Sequence, residues 1–301
     1  MISQNISTVD ESLNHENYKW TSYDGFNLYV QSWIPDVKCK ALILIIHDIG
    51  EHSSRYSEWA VKFVKAGFGV LSYDLRGNGF SKGKRDKNPS YKKHQKDLSA
   101  ILNEIKEQYG DLPLILYGQG LGANIIINNI INEPQKFDGI IITSPWFELT
   151  EIQNYFLHSF GNYIMQILPN IKLNPGLNPE ALSRDLRIIH DYKTDNLVSS
   201  KMTLRCFVQS CNAGEKASKS IYRINIPLLV LHGTADAFTS VKASKKFVMN
   251  SSNKTQLILY EDAFHELHHD LCSEQVFSDI HDWLQKNITQ PSIQSDDHSA
   301  N

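Results

Sequence analysis

Three short stretches hold residue types that can do chemistry together. The first, LYGQGLGAN (116–124), runs from an apolar strand into a tight glycine turn and then an apolar helix. Turns of this kind often carry a serine nucleophile as G-x-S-x-G, but here the middle position is Gly120. The second, LHGTADAFTS (231–240), sets Asp236 just past a buried strand, and the third, LYEDAFHELHHD (259–270), sets His265 just past the next. Nucleophile position, acid and histidine in that order suit a serine hydrolase. The histidine would be the general base, and the carboxylate would hold its tautomer and stabilise its charged form. Taken singly, each residue has a plainer role. Aspartate is common at helix caps and turns, and His268 and His269 compete with His265 on the same turn. The order and the successive strand ends favour the joint reading.

Two other chemistries compete for these residues. GQGLGA also fits G-x-G-x-x-A, the dinucleotide fingerprint, which requires an acid at the end of the following strand. That strand, GIIITSPW, ends in Thr143 and Ser144, and the first acid beyond is Glu148, past Pro145. A dinucleotide-binding oxidoreductase is therefore a remote alternative. His265, His268, His269 and Asp270 lie close together, yet His265 is taken by the triad pattern and there is no HExxH. No metal is expected.

Strands and helices must alternate to hold such loops. YKWTSYDGFNLYVQSW reads as a hairpin about Asp24-Gly25. Buried strands are expected at 41–47, 68–73, 114–117, 139–143, 227–231 and 256–260, with helices at 54–65, 91–109 and 121–131 and from Val241 and Glu274. Short apolar strands separated by helices imply a parallel sheet covered on both faces. Residues 146–222 break the rhythm. Ile152, Tyr155, Phe156, Phe160, Tyr163, Ile164, Ile167, Leu168 and Ile171 recur at helical spacing, and the segment then turns polar and loop-rich. It reads as a cap inserted between core segments 16–145 and 223–289, with Phe156, Phe160, Tyr163 and Ile164 as candidate substrate contacts. Residues 1–15 read as a flexible leader and 290–301 as a disordered tail.

Composition sets the outer bounds. The chain has 301 residues, 41% hydrophobic and 21% charged, with a net charge of −3. That is ordinary for a globular protein and offers no basis for nucleic-acid binding. The basic run SKGKRDKNPSYKKHQK (81–96) reads as a solvated loop and helix start. Cys39, Cys206, Cys211 and Cys272 show no CxxC pairing, so reduced thiols are expected. The N-terminal stretch has no apolar signal core, and no run approaches bilayer length, so a cytoplasmic placement is expected.

The chain resembles the α/β-hydrolases of the monoacylglycerol lipase, lysophospholipase and serine aminopeptidase type. The stretches that carry the likeness are HDIGEHSSRY (47–56), YDLRGNGFSKG (73–83), YGQGLGAN (117–124), LNPEALSRD (177–185), LHGTADAFTS and EDAFHELHHD, in family order over about Tyr18 to Lys286. The resemblance implies an α/β-hydrolase fold with a helical lid and cleavage of a lipid-like carboxylic ester without metal or organic cofactor. It implies catalytic Asp236 and His265, oxyanion donors at the Ile49 and Leu121 N–H groups, and a lid at 146–222 over an acyl tunnel; a lid of this kind leaves room for transient membrane contact. It also marks departures. The family's serine falls on Gly120, and a glycine of its HGxGEH motif falls on Asp48, a charge of the wrong sign for an oxyanion loop. Asn78 and Asp262 replace a histidine and a glycine.

With no nucleophile, the serine route should leave at most a trace of activity. Glycine suits the strained elbow, so Gly120→Ser is expected to restore esterase activity at a slight cost in stability. Two origins fit the glycine: a natural pseudoenzyme that binds a lipid or a partner, or an introduced replacement that silences a working hydrolase.

Overall fold

Apolar runs of five or six residues dominate the middle of the chain, and five of them become strands at the buried centre of one sheet. The computed structural model describes residues 13–81, 90–133, 137–150, 155–251 and 254–289. The tail, most of the leader, residues 82–89 of the basic run and Ile152 lie outside the described residues, as do the side chains of Tyr155 and Phe156.

The eight-stranded sheet runs β1 (Leu13–Thr21), β2 (Asn27–Pro35), β4 (Gly69–Tyr73), β3 (Leu42–Ile46), β5 (Leu114–Gln119), β6 (Gly139–Thr143), β9 (Leu228–Gly233), β10 (Thr255–Tyr260). The β1–β2 and β2–β4 pairs are antiparallel and the others parallel. Buried residues alternate between the faces. Ile43, Ile45, Ile115, Tyr117, Leu229 and Leu231 pack with α1 (Ser57–Lys65) and α8 (Ser273–Leu284). Leu42, Leu44, Ile46, Leu116, Ile140 and Ile142 join the opposite core, with α2 (Tyr91–Tyr109) and α3 (Gly120–Asn132). The sequence reverses its direction of travel across the sheet between β3 and β5. Loops leaving such a switch point open a crevice at the strand C-termini, where α/β proteins bind ligands. Asp48 follows β3 there, and Gly120 follows β5.

The hairpin begins earlier than expected: Leu13–His15 belong to β1 rather than to a leader. His15 stacks on Trp33 at 4.7 Å, so a polar edge strand is held by pairing and not by apolar content. The segment between β6 and β9 is also more ordered than its polarity suggests. It contains α4 (Tyr155–Ile167), α5 (Leu186–Thr194), α6 (Leu204–Ser220) and a two-stranded ribbon of β7 (Lys172–Leu173) and β8 (Met202–Thr203). The α6 sequence hides its helix because its buried face mixes Phe207 and Val208 with Ala213, Gly214 and Ala217. The small residues permit close approach: an added Cβ on Gly214 would overlap the Phe147 carbonyl oxygen. Between β9 and β10 lies α7 (Val241–Met249). All four cysteines are free.

Candidate active site

The turn after β5 is built around glycine. Gly120 has φ +49°, a conformation that costs a side-chain-bearing residue about 1–3 kcal/mol. Two residues on, an added Cβ at Gly122 would overlap the Ile46 carbonyl oxygen, so glycine lets α3 start hard against β3.

Asp236 is held by the turn after β9. Its Oδ1 accepts the N–H groups of Phe238 at 2.8 Å and Thr239 at 3.0 Å, and its Oδ2 accepts the Thr239 hydroxyl at 2.7 Å. His232 Nε2 reaches the same Oδ2 at 3.0 Å and His265 Nδ1 at 2.8 Å. Burial alone would raise this carboxyl, but the His265 charge and the two histidine hydrogen bonds hold it well below the usual carboxylate range. His232 was not foreseen. Its Nδ1 is anchored on Ser244 Oγ at 2.8 Å, which aims Nε2 at the acid.

His265 is wholly buried after β10. Its carbonyl oxygen accepts the Gln119 amide at 3.0 Å and the Ser144 hydroxyl at 2.7 Å, which fixes the backbone that carries the ring. Phe238 meets the ring edge-on at 5.2 Å. The competing histidines turn elsewhere. His268 stacks on Tyr56 at 4.5 Å, and burial keeps it neutral. His269 donates Nε2–H to the Arg55 carbonyl oxygen at 2.9 Å. Among the described residues, Glu266, His268 and His269 form the one group spaced to hold a metal. The Arg55 guanidinium already lies 2.7 Å from Glu266 Oε2 and supplies a cation there.

Asp48 changes the meaning of the site. Its Oδ1 accepts the Leu121 N–H at 2.6 Å, one of the two expected oxyanion donors. Its Oδ2 lies 2.9 Å from His265 Nε2. A Cβ added to Gly120 would overlap Oδ1, Cγ and Oδ2 of this one carboxylate. The Asp48 carboxylate thus fills the space that a residue-120 side chain would use, and it touches both groups that serve a serine nucleophile. Ile49, the other expected donor, is buried in the same turn. A serine at residue 120 would have to displace this carboxylate before its hydroxyl could meet His265. A carboxylate on the Leu121 N–H also opposes a pyrophosphate at the same loop, against the dinucleotide reading.

Asp262 has φ +55°, a left-handed conformation that aspartate tolerates, and its N–H meets Thr234 Oγ1 at 2.9 Å. Asn78 is buried. On α4, Phe160 and Tyr163 are exposed, whereas Ile164 packs against the core. The cap is fastened to the Asp48 turn by Ser199 N–H to Gly50 O at 2.9 Å and by His52 Nε2 to Asp195 Oδ2 at 2.7 Å.

His265 sits between two carboxylates. Burial disfavours its charged form, but Asp236 and Asp48 together raise its pKa well above the ordinary histidine value. A raised folded-state pKa contributes stability that is present below the unfolded value of about 6.5 and lost as pH rises through the folded one. Asp48→Asn should therefore lower the His265 pKa in an imidazole NMR titration. It should also flatten the fall of unfolding free energy on the alkaline side of neutrality. An unchanged titration would show that Asp48 does not hold the proton on His265.

The geometry has counterparts among known proteins. The family model described as serine aminopeptidase, S33, matches residues 37–272. The chain is 30% identical over 267 residues to human monoglyceride lipase, covering 87% of this chain and 88% of that one. It is 29% identical over 282 residues to an abhydrolase domain-containing protein of Dictyostelium discoideum, covering 92% of this chain but 30% of that much longer one. The crystal structure of Paleococcus ferrophilus monoacylglycerol lipase superposes with a TM-score of 0.79 at 28% identity, covering 86% of this chain and 99% of that one. With the sheet order, the strand-end loops and these matches in agreement, the chain belongs to the serine aminopeptidase S33 family of α/β-hydrolases and is monoglyceride lipase-like.

Proposed function

We propose that this protein is a lipid-ester hydrolase scaffold, of the monoacylglycerol or lysophospholipid class, whose serine route is closed by a coupled exchange. Glycine has replaced the nucleophile, and the Asp48 carboxylate has moved into the vacated space. One observation carries the reading: a Cβ at residue 120 would overlap the Asp48 carboxyl atoms where they now lie, so a side chain there must displace that carboxylate. Catalysis by a water on His265 is disfavoured as well. In the charged form that Asp236 and Asp48 favour, His265 Nε2 carries a proton toward Asp48 and has no lone pair to offer.

The same contacts support a second reading, a non-catalytic lipid-binding protein. A fatty-acid carboxylate released by the family reaction would seek an oxyanion N–H and an imidazolium. Asp48 already sits on both. On this reading an acyl chain binds with its polar head elsewhere, and the protein holds its ligand without cleaving it. The mutual fit of Gly120 and Asp48 also favours a natural origin for the glycine over a single introduced replacement.

The test is an ester panel of monoacylglycerols, lysophospholipids and short-chain esters. The parent protein should be silent, and Asp48→Gly/Gly120→Ser should turn over at least one class. Parent turnover equal to that of the paired variant would overturn the closed-route reading. Retention of lipid by the parent, read by mass spectrometry, would separate a binding protein from an empty scaffold.

A further inference from the structure

The loop that carries His265 continues into a second cluster, which the ester chemistry does not use. His268 is 5% exposed, and neither of its ring nitrogens has a hydrogen-bond partner among the described residues. Other rings flank it instead, with centroids 4.5 Å away in Tyr56 and 4.0 Å away in His269. A neutral imidazole has one N–H and one lone pair, and burying both unmet is costly. His269 has a related mismatch. Its Nε2–H goes to the Arg55 carbonyl oxygen at 2.9 Å, which in a neutral ring leaves a lone pair on Nδ1. That lone pair faces Glu266 Oε2 at 2.7 Å. Two acceptors this close call for a proton or a metal ion on one of them.

We propose that Glu266, His268 and His269 bind one zinc ion. A donor atom from each lies within 4.8 Å of the other two. Two imidazoles and one carboxylate are an established zinc donor set, with a fourth position left for water. Bound at about 2.0–2.2 Å, tetrahedral donors stand roughly 3.3–3.6 Å apart. The closing movement is therefore on the order of 1 Å, which side-chain rotations on one short turn can supply. The spacing is not HExxH, but ligands gathered by a turn need no helical register. Arg55 and His269 both meet Oε2 of Glu266, which leaves Oε1 to the ion. The His269 side chain is 14% exposed against 1% for Glu266, so the ion and its water enter past His269. An ion needs no larger opening.

Arg55 tunes this site and does not fill it. Its guanidinium lies 2.7 Å from Oε2 and 3.4 Å from His269 Nδ1. Zinc must share the carboxylate with that charge, and their repulsion weakens binding. Bound zinc would also stiffen the loop after His265, whose Glu266 N–H is already donated to the Leu182 carbonyl oxygen of the cap at 2.7 Å. The proposal goes beyond the lipid-ester reading and does not depend on it, since none of the three ligands is a triad position.

The test uses the full chain, stripped with a chelator and titrated with zinc chloride. Calorimetry should show one equivalent bound, and Tm should rise with zinc and fall back when chelator is added. Cobalt in place of zinc should give the intense visible absorption of a four-coordinate site, and zinc should displace it. His268→Gln and Glu266→Gln should each weaken binding by about tenfold or more. His190→Ala, at an exposed histidine of α5, should leave it unchanged. Arg55→Ala should bind zinc more tightly than the parent, because the competing charge is gone. No zinc uptake by the parent, a weak octahedral cobalt spectrum, or binding that survives both ligand substitutions would overturn the proposal. The cobalt spectrum needs only the parent protein, so it decides the matter even if a buried variant fails to fold. An ester panel that goes against the closed-route reading would leave the zinc result standing on its own.

Discussion

Gly120→Ser alone is expected to lower the stability of this protein and to leave its ester hydrolysis unchanged. Glycine-to-serine at an elbow would ordinarily cost about 1–3 kcal/mol in backbone strain and supply the missing hydroxyl. Here the new Cβ would overlap three atoms of the Asp48 carboxyl group. That group cannot yield freely, because it is pinned at 2.6 Å on the Leu121 N–H and at 2.9 Å beside His265. Breaking a buried charge pair costs about 3–5 kcal/mol. The loss should lower Tm by about 6 °C or more, at roughly 2 °C per kcal/mol for a chain of this size.

The partner substitution shows the coupling. Asp48→Gly opens the space but adds no nucleophile, so it too should be silent on esters. Asp48→Gly/Gly120→Ser should recover part of the ~10⁶-fold that a serine nucleophile supplies in a comparable hydrolase, on the order of 10³-fold or more above either single variant. The stability cycle should be non-additive by more than about 1 kcal/mol, because the two positions contend for one volume. Additive stabilities, or ester turnover by Gly120→Ser alone, would show that the Asp48 carboxylate swings aside at little cost.

Much of this was legible in the sequence, for identifiable reasons. Five- and six-residue apolar runs bounded by turn residues suit strands buried on both faces, and five strands appear where such runs lie. Asp236 follows such a strand and His265 follows the half-buried edge strand β10, so chain order brought them to neighbouring strand ends. Asp48 was legible as a departure of the wrong sign but not as a substitute. Its contacts reach across 73 residues to Leu121 and 217 to His265, and no local pattern encodes their direction. His232 was hidden for a different reason. It lies on a strand whose apolar neighbours suggest only core, and its role appears once Asp236 turns back toward it at 3.0 Å. Helix α6 escaped because small residues bury a face without giving an apolar stripe.

Arg55→Ala should be the most damaging single change outside the Asp48–His265 pair, and it should reverse part of the pH dependence of stability. Arg55 is nearly buried, 2.7 Å from Glu266 Oε2 and 3.5 Å from Glu51 Oε1, with its guanidinium 5.0 Å from the Tyr192 ring of α5. Both acids are buried, yet they sit at opposite ends of the scale. Burial and the neighbouring Glu266 push Glu51 well above the ordinary carboxyl range. Burial would do the same to Glu266, but Arg55 holds it well below. One guanidinium therefore supports one charge in a two-acid cluster. Without it, Glu266 keeps only His269 Nδ1 at 2.7 Å against its buried charge, a loss of about 3–5 kcal/mol at neutral pH. In the parent, a depressed Glu266 contributes stability above the unfolded value of about 4.3 that is lost as pH falls. In Arg55→Ala the folded-state pKa should rise above that value. The contribution then changes sign: it is present at low pH and lost as pH rises. Denaturant unfolding at mildly acidic and neutral pH reads both effects, with the variant losing less ground in acid. Arg55→Lys keeps the charge without the fork and should fall between parent and alanine variant. The cluster bears on the site as well, since Glu51 Oε2 accepts the Tyr56 hydroxyl at 3.0 Å and the Asp48 N–H at 3.4 Å. Loss of Arg55 should therefore also loosen the turn that aims Asp48, visible as a lowered His265 pKa. A variant with unchanged stability at both pH values would show that Glu266 finds its compensation elsewhere.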